Sequence, residues 1–244
     1  MKRKEVLIKL NAPDTEKKKN VNAGHRQRMR SRFLAGGLNG FQHHEILELL
    51  LYYSIPRRDT NKIAHNLMER YHSFSGVFEA DQNDLMQIDG ISESTAVFLK
   101  LIPEVCRAYL MSKQDDPTKH VHRKELKELL ASRFVGVVNE EAHILCLDAQ
   151  MRVIGIEKVG DGESNSVNLK IRSIVEIALR TRCSHIILAH NHPHGNTQPS
   201  SADLFVTRRL QKILQQLDVR LEDHYIVGEK VVSLRDMGYF DSMM

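Results

Sequence analysis

The sequence is poor in the features that mark membrane or oxidising compartments. It has no run of about 18 apolar residues, so no segment predicts a membrane-spanning helix. The opening MKRKEVLIKLNAPD holds too short an apolar stretch for a signal peptide, and the expected location is cytoplasmic. Cysteine is scarce. Cys106, Cys146 and Cys183 lie far apart with no CxxC pair, so neither a disulfide framework nor a thiolate zinc site is suggested; small buried hydrophobes are expected. An excess of either charge is missing from the second half, where residues 121–244 carry 16 Lys and Arg against 16 Asp and Glu.

What the chain does have is enough apolar sequence to fold. Its 244 residues are 41% hydrophobic and 27% charged, sufficient for one large globular domain or two ordinary ones. The net charge of +4 is N-terminal: residues 1–32 hold 11 basic against 3 acidic side chains, in KRK, EKKKN and HRQRMRSR. Residues 1–20 read as a flexible basic arm. Such a run is either a solvated tail or a site for an acidic partner, with nucleic acid foremost.

From residue 21 the signals are helical. Met29, Phe33 and Leu34 recur at helical spacing before Gly36 and Gly37, and FQHHEILELLLYYSIP is apolar on one side and stops at Pro56. Asp59 or Thr60 caps the next helix, which turns Ile63, Ala64, Leu67, Met68 and Tyr71 to one side. Further on, Leu85 and Ile88 end a short helix, Asp89 to Ser92 form a turn, and another helix starts at Ser94 with Ala96, Val97 and Leu99 inward. This resembles a helix-hairpin-helix element, whose turn offers backbone N–H groups to a phosphate. Gly90 and Ser92 are then the candidate DNA-contacting positions. Ser92 stands where that element carries its second glycine, which restricts close backbone approach. A purely structural hairpin or a protein-docking surface is the other reading.

Residues 114–122 are polar and aperiodic and read as a linker between a helical domain over 21–113 and a second domain over 123–244. In the second, AHILCLD and MRVIGIEKVG read as strands, VNLKIRSIVEIALRTR as a helix, HIILAH as a strand and ADLFVTRRLQKILQQLD as a helix. Two final strands flank a turn at Gly228 and Glu229. The expected fold class is α+β in two domains, an all-α N-terminal domain followed by an α/β domain with a mixed sheet flanked by helices.

The stretch SHIILAHNHPHGNTQPSSAD carries the chemistry. His190 and His192 stand two positions apart, and Asp203 follows eleven residues later. Residues two apart on a strand share a face, so both imidazoles reach one ion if extended geometry persists past Ala189. Asn191 then points the other way and ties down the loop. Two imidazoles and a carboxylate make a three-ligand set that leaves one position of a tetrahedral zinc open, as catalytic sites require. Ser200 and Asp203 also read as a plain helix cap, a role compatible with ligation.

His-x-His, seven intervening residues, Ser, two residues and Asp is similar to the JAMM motif of MPN-domain metalloproteases, and HNHP with GxxxPSxxD resembles its bacterial RadC branch. Together with EILELLLYYSIPRRDT in the helical part, the resemblance covers all but residues 1–20. It implies an MPN fold (JAB/JAMM, cytidine-deaminase-like), one Zn2+ per chain on His190, His192 and Asp203, and Ser200 as a stabiliser of the oxyanion. It also implies an upstream glutamate as general base, either Glu140 or Glu141. In relatives the acid stands eight positions before the Asp or Asn closing the strand, and counting back from Asp148 reaches Glu140; Glu141 falls on the opposite face if the strand already runs there.

The activity implied is metal-dependent amide or isopeptide hydrolysis of a protein or peptide substrate. The competing class is a DNA repair or recombination accessory protein, or nuclease, binding DNA through the N-terminal domain, with the metal serving structure or phosphodiester cleavage. The chain departs from RadC relatives at His194, Asn196 and Thr197, where Ser, Asp and Pro are common, and in carrying VNLKIRS for VHPRE before the central helix. No metal position is touched. His194 reads as an exposed loop residue, and His224 with Asp223 as mainly structural. Oligomeric state is not legible.

Overall fold

The structure, a computed structural model, describes residues 21–112, 123–159, 167–193 and 195–240. The arm expected over 1–20, the linker expected over 114–122, and His194 lie outside the described residues. The elements in chain order are α1 (Val21–Gly36), α2 (His43–Ser54), α3 (Thr60–Tyr71), α4 (Phe74–Glu79), α5 (Gln82–Leu85), α6 (Glu93–Ser112), α7 (Arg123–Arg133), β1 (Ala142–Leu147), β2 (Val153–Lys158), α8 (Val167–Thr181), β3 (His185–Asn191), α9 (Ser201–Gln215), β4 (Arg220–Val227) and β5 (Val231–Ser233). None of these helices is long and apolar enough to cross a membrane.

Two compact units result. One gathers α1, α2 and α3 with the short segment Ile88–Gly90, and the other gathers Ser73–Gln87 with everything from Ile91 onward. The helices expected as one N-terminal block are therefore divided, and α4 to α6 group with the sheet. Side chains of α6 explain the division. The Lys100 ammonium donates to the carbonyls of Phe78 and Ala80, and the Arg107 guanidinium donates to the carbonyl of Val135. Gly136 lies so close to Pro103 of α6 that a Cβ there would fall 2.5 Å from the proline ring.

In the first unit, α1 ends where Gly37 adopts φ +63°, its N–H donating to Phe33 O at 2.7 Å. The side chain of Asp59 caps α3 by accepting from Asn61 N. Leu47, Leu51, Ala64 and Leu67 are fully buried, the product of the i, i+3, i+4 spacing. Within the same unit, the Glu48 carboxylate is buried and accepts from His25, Tyr52 and Asn61, so its charge is compensated. Met29 joins a cluster with Phe41, Leu49 and Tyr52, whereas Phe33 and Leu34, expected beside it, are exposed.

The second unit is built on a five-stranded sheet in the order β2-β1-β3-β4-β5. Only β3 and β4 run parallel, joined by α9 as the crossover, and the other pairs are antiparallel. On one face Ala142, Ile144, Cys146, Ile186, Leu188 and Ile226 meet Ile171, Ile174 and Ala178 of α8 and Leu210 and Leu214 of α9. The other face sets Leu145, Leu147, Ile187, Ala189 and Tyr225 against Leu126 and Leu130 of α7 and Phe134 just after it. Covering on both faces is why AHILCL is buried throughout rather than alternating.

Two expectations about single residues fail here. Val97 is half-exposed while Ala96 and Leu99 are fully buried, because the buried stripe of α6 runs through Thr95, Ala96 and Leu99 and Val97 lies beyond its edge. Cys146 and Cys183 are buried in the core as expected, but Cys106 is exposed.

Candidate metal centre

The sheet register determines which side chains meet. His190 pairs with Ala142 on β1 and with Ile226 on β4, so its ring lies on the face that α8 and α9 cover. Asn191 points oppositely: its side-chain Oδ1 accepts from Glu141 N at 2.7 Å and its Nδ2 donates to Asn139 O at 3.0 Å. Extended pairing continues one residue past β3, where His192 N donates to Val227 O at 2.8 Å. That continuation brings the second imidazole back to the side of the first.

The chain then turns sharply. Gly195, at φ +80°, donates its N–H to His192 O at 2.9 Å and accepts from Glu229 N at 3.2 Å. Gly228 backs this turn so closely that a Cβ there would stand 2.7 Å from Gly195 O. The loop after HNHP is thus held by the β4–β5 turn.

The third donor comes from the start of α9. Ser200 is the N-cap residue: its Oγ accepts from Asp203 N at 3.1 Å, and Asp203 Oδ2 accepts in return from Ser200 N at 2.8 Å and Ser200 Oγ at 2.7 Å. So held, Asp203 Oδ1 stands 3.3 Å from His190 Nε2 and Oδ2 stands 3.6 Å from His192 Nε2, while the two Nε2 atoms are 2.9 Å apart. Among the described residues this trio is the group of His, Cys, Asp and Glu side chains able to hold a metal ion.

The donor chemistry suits a cation. His192 Nδ1 lies 2.6 Å from Asn196 O, and because a carbonyl can only accept, the Nδ1 proton is there and Nε2 presents a lone pair. In the neutral ring that lone pair faces a second imidazole nitrogen and a carboxylate, a donor set that suits a cation. An ion held at about 2.0–2.2 Å in tetrahedral geometry sets its ligand atoms about 3.3–3.6 Å apart. The separation of His190 Nε2 from Asp203 Oδ1 falls in that range, and the nitrogen–nitrogen one is shorter by a few tenths of an ångström.

The two glutamates before β1 part company. Glu141 accepts from Lys158 at 2.8 Å and pairs with His143 at 3.4 Å, on the face opposite His190. Glu140 has the parity of Ala142, which is the strand partner of His190, and is exposed. Gly90 and Ser92 are not gathered at this centre. They belong to the turn between α5 and α6, where Gly90 takes φ +95° and Ser92 Oγ accepts from Thr95 N at 3.3 Å. Acidic Asp89 and Glu93 flank the turn, and Asp89 is paired with Arg58.

His224, read from the sequence as structural, touches the centre. Its Nε2 is 2.8 Å from His190 Nδ1 and its Nδ1 is 2.7 Å from Thr207 Oγ1. Burial first, and then the positive charge that His190 and His192 can carry, hold its pKa well below the usual imidazole value. Asp223 is structural, accepting from His224 N, Ser233 Oγ and Arg235 N. A bulge separates the two roles. The pairing of β3 with β4 steps from Ile186↔Leu221 to Ile187↔Asp223, so Glu222 is the extra residue and His224 is rotated onto the face of His190. Nothing in the sequence signals that bulge. Thr207 was also missed, although its place four residues after Asp203 puts it on the same side of α9.

A mixed sheet whose strand end and following helix start converge His-x-His and Ser-x-x-Asp side chains defines the class as a JAB-type domain with a candidate metal centre. The family described as the RadC-like JAB domain matches residues 120–239. A UPF0758 protein of Fusobacterium nucleatum subsp. nucleatum is 33% identical over 213 residues, covering 84% of this chain and 92% of that protein. The chain belongs to the RadC family.

Proposed function

We propose that this chain is a zinc-dependent hydrolase of the JAMM type that cleaves amide or isopeptide bonds in protein or peptide substrates, with His190, His192 and Asp203 holding one zinc ion. The observation that carries the reading is the convergence of two imidazole nitrogens and a carboxylate within 4.8 Å of one another. Zinc bound there would supply Lewis-acid polarisation of a carbonyl and a water acidified to a pKa of about 7.

The remaining work falls to the chain's own residues. Glu140 takes the proton of the attacking water and returns it to the leaving amine as general base and then acid. The parity of Glu140 with Ala142, the strand partner of His190, supports Glu140 for that role, whereas Glu141 shares the opposite face with His143. Ser200 has one hydroxyl proton and directs it at Asp203, so donation to an oxyanion requires the hydroxyl to rotate away. An oxyanion donor of this kind contributes about 3–4 kcal/mol to the barrier. A single ion with a single base suits amide cleavage, whereas nucleases often use a metal pair.

The test is metal content and turnover on the same preparations. Wild type is expected to hold one zinc per chain, His190→Ala to lose it, and Glu140→Gln to keep zinc while losing hydrolysis of peptides and isopeptides. Full metal occupancy in the His190→Ala, His192→Ala double variant rejects the site. Cleavage of single- or double-stranded DNA that Glu140→Gln abolishes, with peptides untouched, transfers the chemistry to phosphodiesters.

A further inference from the structure

We infer that Thr207 and His224 are positioning residues of the candidate metal centre: as a buried relay from the Asp203 carbonyl, they fix the tautomer of His190 so that Nε2 faces the centre without a proton. The inference rests on the metal site proposed above and adds to it the two residues that set one ligand's protonation.

The relay is read from the capacity of each group. Thr207 Oγ1 lies 2.6 Å from Asp203 O and 2.7 Å from His224 Nδ1. A carbonyl oxygen can only accept, and a hydroxyl has one proton, so that proton points at Asp203 O. The contact with His224 must then be made by a proton on its Nδ1. His224 is buried, and its ring contacts are Thr207 and the His190 imidazole, with no carboxylate among them. An imidazolium without an anionic partner is costly in such a place, so the ring is neutral and its Nε2 is an acceptor. The 2.8 Å contact between His224 Nε2 and His190 Nδ1 therefore places the His190 proton on Nδ1. His190 Nε2 is left with a lone pair, at 2.9 Å from His192 Nε2 and 3.3 Å from Asp203 Oδ1.

Each ligand imidazole thus has its own tautomer lock, a backbone carbonyl for His192 and the Thr207–His224 pair for His190. Because the relay starts at the peptide carbonyl of Asp203, it also links the helix that presents the carboxylate to the strand that presents the imidazole. Thr207 is fully buried, so a β-branched isostere can fill its place without the hydroxyl.

Long-range proton–nitrogen correlation spectra of the imidazoles in the full-length, metal-free chain test this directly. Wild type is expected to show His190 as the Nδ1–H tautomer. Thr207→Val and His224→Phe should shift His190 toward a mixture and weaken zinc binding, measured by chelator competition, by about 10–100-fold. His192 should be unchanged in both, as an internal reference. Thr207→Ser keeps the hydroxyl and His224→Gln keeps an acceptor at the Nε2 position, and both should restore affinity. A wild-type His190 in the Nε2–H form overturns the inference whatever the variants do. So does a folded Thr207→Val chain with unaltered tautomer and zinc affinity. Zinc loss in His190→Ala with none in Thr207→Val removes the relay alone, whereas unchanged zinc uptake in His190→Ala removes the metal centre with it.

Discussion

Ser200 shows how one residue serves two levels of structure. Its hydroxyl accepts from Asp203 N and donates to Asp203 Oδ2, so the helix cap and the orientation of a candidate ligand are the same interaction. Ser200→Ala is expected to lower unfolding stability by about 1 kcal/mol through loss of the cap, read by urea denaturation. The same variant should weaken zinc binding, since Asp203 keeps only the bond from Ser200 N. If stability drops while zinc affinity is untouched, the cap and the ligand are independent. At this scale the sequence was legible: His190, His192, Ser200 and Asp203 fall within one stretch, where spacing alone predicts shared faces. The faces of Glu140 and Glu141 were not legible to the same degree, because only pairing shows where a strand's alternation begins.

Among the elements, the loop after His192 depends on the turn between β4 and β5. A Cβ at Gly228 would collide with the backbone of Gly195, so Gly228→Ala should displace the loop carrying His192's carbonyl partner and reduce zinc affinity several-fold. Gly155→Ala in β2 meets nothing within 4 Å and is the matched control. Equal zinc affinity in the two variants would show that the loop tolerates displacement. Core packing makes a separate prediction: Leu214→Ala, at a fully buried position of α9, should cost about 2–5 kcal/mol in chemical denaturation. The periods of α8 and α9 and the apolar runs of β1 and β3 were readable because each buries a defined face. Helix α7 was not, since RKELKELLASR is mostly charged and its buried Leu126 and Leu130 acquire meaning only against the far face of the sheet. The bulge at Glu222 was equally silent, being one residue of register with no compositional mark.

For the whole molecule, two buried histidines dictate the acid response. Burial is the leading cause lowering the pKa of both His224 and His143, with Glu141 partly opposing it at His143. The unfolded chain protonates these rings below about pH 6.5, and the folded chain resists. Their contribution to stability is therefore full above that pH and is lost as the pH falls toward the folded values, at up to about 1.4 kcal/mol per pH unit for each. Asp148, whose carboxyl is held low chiefly by the Arg152 backbone N–H, adds its own loss only in the more acidic carboxylate range. The urea midpoint of the metal-free protein should thus decline already between pH 7 and 5, and less steeply in His143→Gln. A midpoint flat down to pH 5 would show that neither ring stays neutral in the folded state.

By itself the sequence determined the class of the second domain, the candidate ligand trio with its cap, and the apolar faces, because each is encoded by spacing within one element or between neighbours. Only the tertiary structure decided the division into units, the burial of β1 between two helical layers, the pairing of Glu141 with Lys158 and His143, and the approach of His224 and Thr207 to His190. Those depend on strand register and on contacts between residues distant in the chain, where a shift of one residue reverses the face a side chain takes.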